Sequence, residues 1–146
     1  MRILLKTKVK GNYKRVMERF DRSLFEALIP KQGKTEIVEF TGSKTGDRVH
    51  LRFISPFKAD WTSNITEDHL DEQRAYFVDE GDVMPFGLKT WKHRHIAERI
   101  DDNSCYIVDD INYEGKNFLL SLFLFPVFYL GFLPRKGIYQ SYFGKV

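Results

Sequence analysis

Residues 91–113 read WKHRHIAERIDDNSCYIVDDINY, and this stretch decides the fold. Trp91, His93 and His95 alternate with Lys92 and Arg94, which is the period of a strand that turns one face inward. Asp101 to Ser104 supply turn residues, and beyond them Cys105, Ile107, Asp109, Ile111 and Tyr113 form a second alternating set. Strands joined this closely pair antiparallel. A three-residue loop, Asp101 to Asn103, sets His95 opposite Asp109, His93 opposite Ile111 and Trp91 opposite Tyr113. A two-residue loop would set His95 opposite Asp110 instead.

Upstream the same strand-and-turn pattern holds from residue 35. Turn signals at Thr41 to Asp47, Ser55-Pro56, His69 to Glu72 and Glu80 to Gly87 separate strands predicted at Glu36–Phe40, Arg48–Phe53, Phe57–Thr66 and Gln73–Asp79. The hairpin contributes Leu88–Ile100 and Cys105–Tyr113, so the central region reads as an antiparallel meander. Before it, Ile3, Leu5, Thr7 and Val9 alternate as a half-buried strand that Gly11 and Asn12 end. Tyr13, Val16, Met17, Phe20, Leu24, Phe25 and Leu28 then fall on one helical stripe until Pro30, and Asp21 divides it into two short helices. At the far end, Phe118–Leu133 is an apolar run broken only by Ser121 and carrying Pro126. Sixteen residues fall short of the roughly 20 that cross a bilayer, so the expectation is a buried C-terminal helix, kinked or broken near Pro126 and Gly131.

The length of 146 residues suits a single domain, 1–146, with a real core. Aromatic residues make up 15%, including 13 Phe, enough for a dense core or an apolar cavity wall. Cys105 is the sole cysteine, which excludes an internal disulfide and suits a reducing, cytoplasmic setting; it reads as a small buried apolar residue. Ile3, Leu4 and Leu5 before Lys6 are too few for the apolar region of a signal peptide. Residues 1–52 carry 13 Lys and Arg against 6 acids, residues 53–115 carry 6 against 14, and residues 116–146 carry 4 against none. Stretches of opposite sign cancel when they fold together, and no dense basic run or aromatic RNA-binding signature is present, so no nucleic-acid partner is expected.

The run Phe77-Val78-Asp79, then Phe86-Gly87, then Trp91-Lys92-His93-Arg94-His95, then Asp109, Ile111 and Tyr113 resembles the WxHxH and DxVxY segments of SRPBCC (START-like, birch-pollen-allergen-like) ligand-binding proteins. Trp61 with Ile65, and Leu24 to Pro30, resemble the branch associated with nucleotide-sugar-epimerase-like "cell-division inhibitor" proteins. The resemblance covers residues 1 to about 115 and is most specific over 61–113. It implies an α+β helix-grip fold, with an antiparallel sheet of about seven strands curved around a long C-terminal helix and two short helices after strand 1. It also implies an internal cavity, with an epimerase-like protein as a partner. After Tyr113 the pattern departs: Glu114-Gly115-Lys116 stands where relatives have a proline and a glycine.

The function expected is non-enzymatic binding or transport of a small hydrophobic or amphipathic molecule. Trp61, Phe77, Trp91, His93, His95, Asp109 and Tyr113 are the candidate ligand-binding residues. His95 and Asp109, facing each other in the interior, should hydrogen-bond, because either buried alone is costly. The plain reading of this pair is a satisfied polar contact that fixes register. The sharper one is a headgroup anchor, or a cyclase- or dehydratase-like acid/base pair with His95 oriented by Asp109, though no nucleophile or oxyanion motif accompanies it. His93 and His95 could chelate a metal with Asp79 or Asp109 as third ligand. With no cysteine cluster, HExxH helix or third nearby histidine, neither metal nor cofactor is expected. The third class is an interaction or membrane-surface protein making transient membrane contact through 118–133, with Lys136 and Lys145 near anionic headgroups.

Overall fold

The computed structural model describes all 146 residues. Strand β1 (Arg2–Lys10) buries every second residue, as its alternation dictates, and is followed by α1 (Tyr13–Glu18) and α2 (Arg22–Leu28). Each helix begins on a side-chain cap: Asn12 accepts from the Lys14 N–H at 3.0 Å and Asp21 from the Leu24 N–H at 3.1 Å. The chain then meanders through β2 (Lys34–Phe40), β3 (Arg48–Ser55), β4 (Ala59–Leu70), β5 (Arg74–Val83), β6 (Leu88–Asp101) and β7 (Ser104–Gly115). The sheet order is β1-β7-β6-β5-β4-β3-β2, antiparallel throughout, so the first strand closes on the last and β6 lies between β5 and β7. Strands β4 and β5 run past the predicted Thr66 and Asp79 to Leu70 and Val83. Residues that read as turns, His69-Leu70 and Glu80 to Val83, instead extend these two strands, which pair with two register shifts.

One side of the sheet carries two core clusters. The first gathers Val16, Phe20 and Leu24 of the short helices with Phe77, Ile107 and Tyr139; the second gathers Trp91, Ile111 and Tyr113 with Leu124 and Phe128. A smaller cluster of Tyr76, Val78, Ile96 and Val108 packs the other side.

The C-terminal helix departs from expectation in two ways. The chain stays helical through Pro126 and Gly131 in α3 (Phe118–Phe132), and after Leu133-Pro134, which keep right-handed angles, it continues as α4 (Arg135–Phe143). Pro126 is tolerated because the carbonyl it leaves unpaired, that of Leu122, belongs to an exposed residue that water can reach. The expected burial also fails. Only Ser121, Leu124 and Phe128 of α3 are buried, while Phe118, Leu119, Phe123 and Leu130 are 65–75% exposed. The sheet covers one half of the helix, and no other element covers the outer half.

Candidate functional site: an apolar cavity with a buried His–Asp–Arg floor

Trp91, His93 and His95 are buried on the inner face of β6, and the register sets them opposite Tyr113, Ile111 and Asp109 of β7. The route to that register is not the predicted one. Asp101 pairs with Ser104 around a two-residue turn, and a bulge at Ile100 adds the residue that restores parity.

The hydrogen bonds also differ from the expected His95–Asp109 pair. On the other flank of β6, Asp79 of β5 lies opposite His93. Each histidine nevertheless bonds the carboxylate diagonal to it. His93 donates through Nε2 to Asp109 Oδ1 at 2.8 Å, and His95 through Nε2 to Asp79 Oδ2 at 2.5 Å. The directly opposed pairs stand further off, with His93 Nδ1 at 3.8 Å from Asp79 and His95 Nδ1 at 4.0 Å from Asp109. The two imidazoles stack with centroids 3.6 Å apart, and Phe77 stacks on the far side of His95 at 4.4 Å.

Helix α4 completes the cluster. Asp109 also accepts from the Tyr139 hydroxyl at 3.2 Å and from Arg135 Nη1 at 3.4 Å. Sequence reading missed both donors. Their signal was the i, i+4 spacing of Arg135 and Tyr139, which sets them on one helix face, but they follow Pro134 and so read as the tail of the apolar run.

Burial opposes the Asp109 charge, but the His93 hydrogen bond and the Arg135 charge outweigh it and hold the carboxyl well below its usual range. Asp79 is likewise lowered: burial works against the charge, and the His95 hydrogen bond prevails. Burial, reinforced by His93, pushes His95 down to about 4, so its imidazole is neutral at physiological pH. Burial and then Asp109 push Tyr139 up, keeping its phenol a donor. His95 Nδ1 has no hydrogen-bond partner despite its burial.

Next to this cluster lies a cavity of about 240 Å³, bounded by Phe20, α2, the inner faces of β2 to β6 and the C-terminal half of α3. That volume lies just below the roughly 300–1,000 Å³ that ligand sites usually occupy. Of the sequence candidates, Trp61, Phe77, Trp91, His93 and His95 line it, and Asp79 and Arg135 join them. Trp61 meets Trp91 edge-to-face at 4.9 Å. Asp109 and Tyr113 are not on the wall. Asp109 lies behind His93, and Tyr113 is packed under α3, where its hydroxyl donates to the Ser121 carbonyl at 2.8 Å.

Asp79, His93 and His95 present ligand atoms within 4.8 Å of one another, the donor set of a three-ligand metal site. The rings do not suit it as they lie. A metal must sit in the plane of each imidazole, whereas these are stacked 25° from parallel, and both Nε2 atoms are engaged by carboxylates. The arrangement suits holding a polar group, or moving a proton, at the end of an apolar chamber.

No family model and no curated protein sequence matches the chain. Solved structures do. The Zhui aromatase/cyclase from Streptomyces sp. R1128 is 14% identical at TM-score 0.70, with 97% of this chain and 92% of that one covered. Norcoclaurine synthase from Thalictrum flavum is 15% identical at 0.68, covering 97% and 92%. Major latex-like protein 151 from Panax ginseng is 15% identical at 0.68, covering 98% and 97%. Likeness over whole chains at such low identity establishes architecture alone. The chain therefore has the birch-pollen-allergen-like helix-grip fold, a curled seven-stranded antiparallel sheet with a C-terminal helix.

Proposed function

We propose that the protein binds a small hydrophobic or amphipathic molecule in this cavity, with its apolar body against Trp61, Phe77 and Trp91 and its polar end at His93, His95, Asp79 and Arg135. The observation that carries this reading is the chamber itself, walled mostly by apolar side chains and ending on one buried charged cluster. Apolar burial at about 25 cal/mol per Å² supplies affinity, and the few polar groups set orientation. Asp109 and Tyr113 act in this reading through others, Asp109 by orienting His93 and Tyr113 by seating α3. Solved proteins of the same fold include a latex-like protein as well as enzymes, so the fold is compatible with either role.

Native mass spectrometry of the gently purified protein tests it, paired with Gly131→Leu. Gly131 lines the cavity, a β-carbon there meets no atom within 4 Å, and leucine favours the helix by up to about 1 kcal/mol. The expected result is an excess mass that unfolding releases from the wild type and that the folded variant lacks. Equal retention by both, or no uptake by the wild type from an offered series of fatty acids and phenols, overturns the reading.

A second reading, acid/base catalysis of the cyclase or dehydratase kind, is favoured by His95, a neutral imidazole on the cavity wall with Nδ1 free of partners. It predicts that His95→Gln abolishes turnover of a bound polyketide-like substrate while the fold and the retained mass persist. The sequence resemblance adds an epimerase-like partner and a cytoplasmic setting to the proposal. Co-purification with such a protein tests the former.

A further inference from the structure

Half of α3 is apolar surface with nothing over it. Phe118, Leu119, Leu122, Phe123, Val127 and Leu130 are 51–75% exposed and fall within one half of the helical circumference, opposite Ser121, Leu124 and Phe128, which face the sheet. The patch extends beyond the helix. Leu120 abuts the turn at Gly87, Phe86 in that turn meets Phe57 at 5.1 Å, and both phenylalanines are themselves exposed. An apolar face of this extent on a folded domain marks a place of contact.

Charge selects the occupant. Exposed lysines Lys58, Lys89 and Lys116 stand beside Phe57, Phe86-Gly87 and the start of α3, and residues 116–146 contain no acid. A basic rim around an apolar face is the pattern of a segment that lies in a membrane interface rich in anionic headgroups. A second copy docked face to face would bring like charges together. The stretch Phe118–Phe143 is long and apolar enough to cross a bilayer, yet one half of α3 is committed to the sheet, so it can only lie along the surface. The cavity bears on the same face: Phe86, Val127, Gly131 and Phe132 line it, and of these Phe86, Val127 and Gly131 are exposed as well.

We propose that the outer face of α3, with Phe57 and Phe86, docks on an anionic lipid bilayer, and that the cavity exchanges its ligand, a lipid-class amphipath, with that bilayer through the lip at Phe86 and Val127. Docking stands on the exposed face and its charges; only the exchange rests on the cavity-binding reading above.

The test is co-sedimentation of the full chain with phosphatidylcholine vesicles, with and without phosphatidylserine, at low and high salt. The wild type should partition to the phosphatidylserine vesicles in a salt-sensitive way. Leu119→Glu with Phe123→Glu, at positions 75% and 69% exposed, should keep the melting temperature and lose partitioning about tenfold or more. Lys116→Glu should weaken binding to the anionic vesicles alone. Gly131→Leu should still dock, so a failed cavity does not read as failed docking. Absence of binding to either vesicle, or binding that the double variant leaves unchanged, overturns the proposal. So does a concentration-dependent dimer that the double variant abolishes, since the face would then belong to a second copy.

Discussion

Asp109 accepts from an imidazole, a phenol and a guanidinium while almost fully buried, so its charge depends on all of them. Removing the cation should hurt more than removing the pair. Arg135→Met is expected to cost about 3–5 kcal/mol in urea unfolding, because it leaves a buried carboxylate without its counter-ion. The double variant Arg135→Met with Asp109→Asn should recover part of that loss. Cys105 gives a simpler prediction. Burial pushes its thiol up to about 12, so iodoacetamide at mildly alkaline pH should leave the folded protein unlabelled and modify it fully in denaturant.

At the scale of elements, the β6–β7 hairpin carries a bulge at Ile100, between the Arg99–Cys105 and Asp101–Ser104 pairs. Deleting Ile100 makes those pairs adjacent and leaves His95 opposite Asp109, so Trp91, His93 and His95 stay inward. The expected outcome is a cooperative thermal transition that survives the deletion, followed by circular dichroism. Ser121 ties α3 to the sheet, since its hydroxyl accepts from the buried Gly115 N–H at 2.8 Å; Ser121→Ala should cost about 1–3 kcal/mol in the same assay. These elements also show what could be read in advance. Alternation in β1, β6 and β7 is a strong signal because one face of each meets the core, and it gave the inward set and the correct opposition of His95 and Asp109. It could not show which carboxylate each histidine bonds, because both carboxylates stand within 4.0 Å of both rings. Nor could it show Arg135 and Tyr139 reaching Asp109, because a contact between α4 and β7 leaves no trace in local periodicity. The run 118–133 was legible as a helix but not as an exposed one, since a sequence apolar all round does not say which half is covered.

At the scale of the whole molecule, the charge segregation along the chain is partly folded away. Arg2 meets Asp110 at 2.9 Å, Lys6 meets Glu98 at 3.4 Å and Arg48 meets Asp82 at 3.2 Å, joining the basic first third to the acidic middle. Acid should act on the interior cluster. With His95 at about 4 in the folded state against 6.5 ordinarily, the unfolded chain takes up a proton across that window and the folded chain does not. Stability therefore falls as pH drops from 6.5 toward 4, and the depressed Asp79 and Asp109 extend the fall below it. A scan of melting temperature against pH should show this, with a flatter slope for His95→Gln. The crossed bonds of β6 have a further consequence for the sheet. Sliding a strand by one residue inverts its faces, which the core forbids, but sliding by two keeps apolar residues inside and costs the core little. On β6 such a shear would bring either Ala97 opposite Asp109 or Trp91 opposite Asp79, leaving one of the two carboxylates without a histidine whichever way the strand moves. The two diagonals work as a cross-brace, locking the central strand against the one displacement that hydrophobic pattern alone would permit.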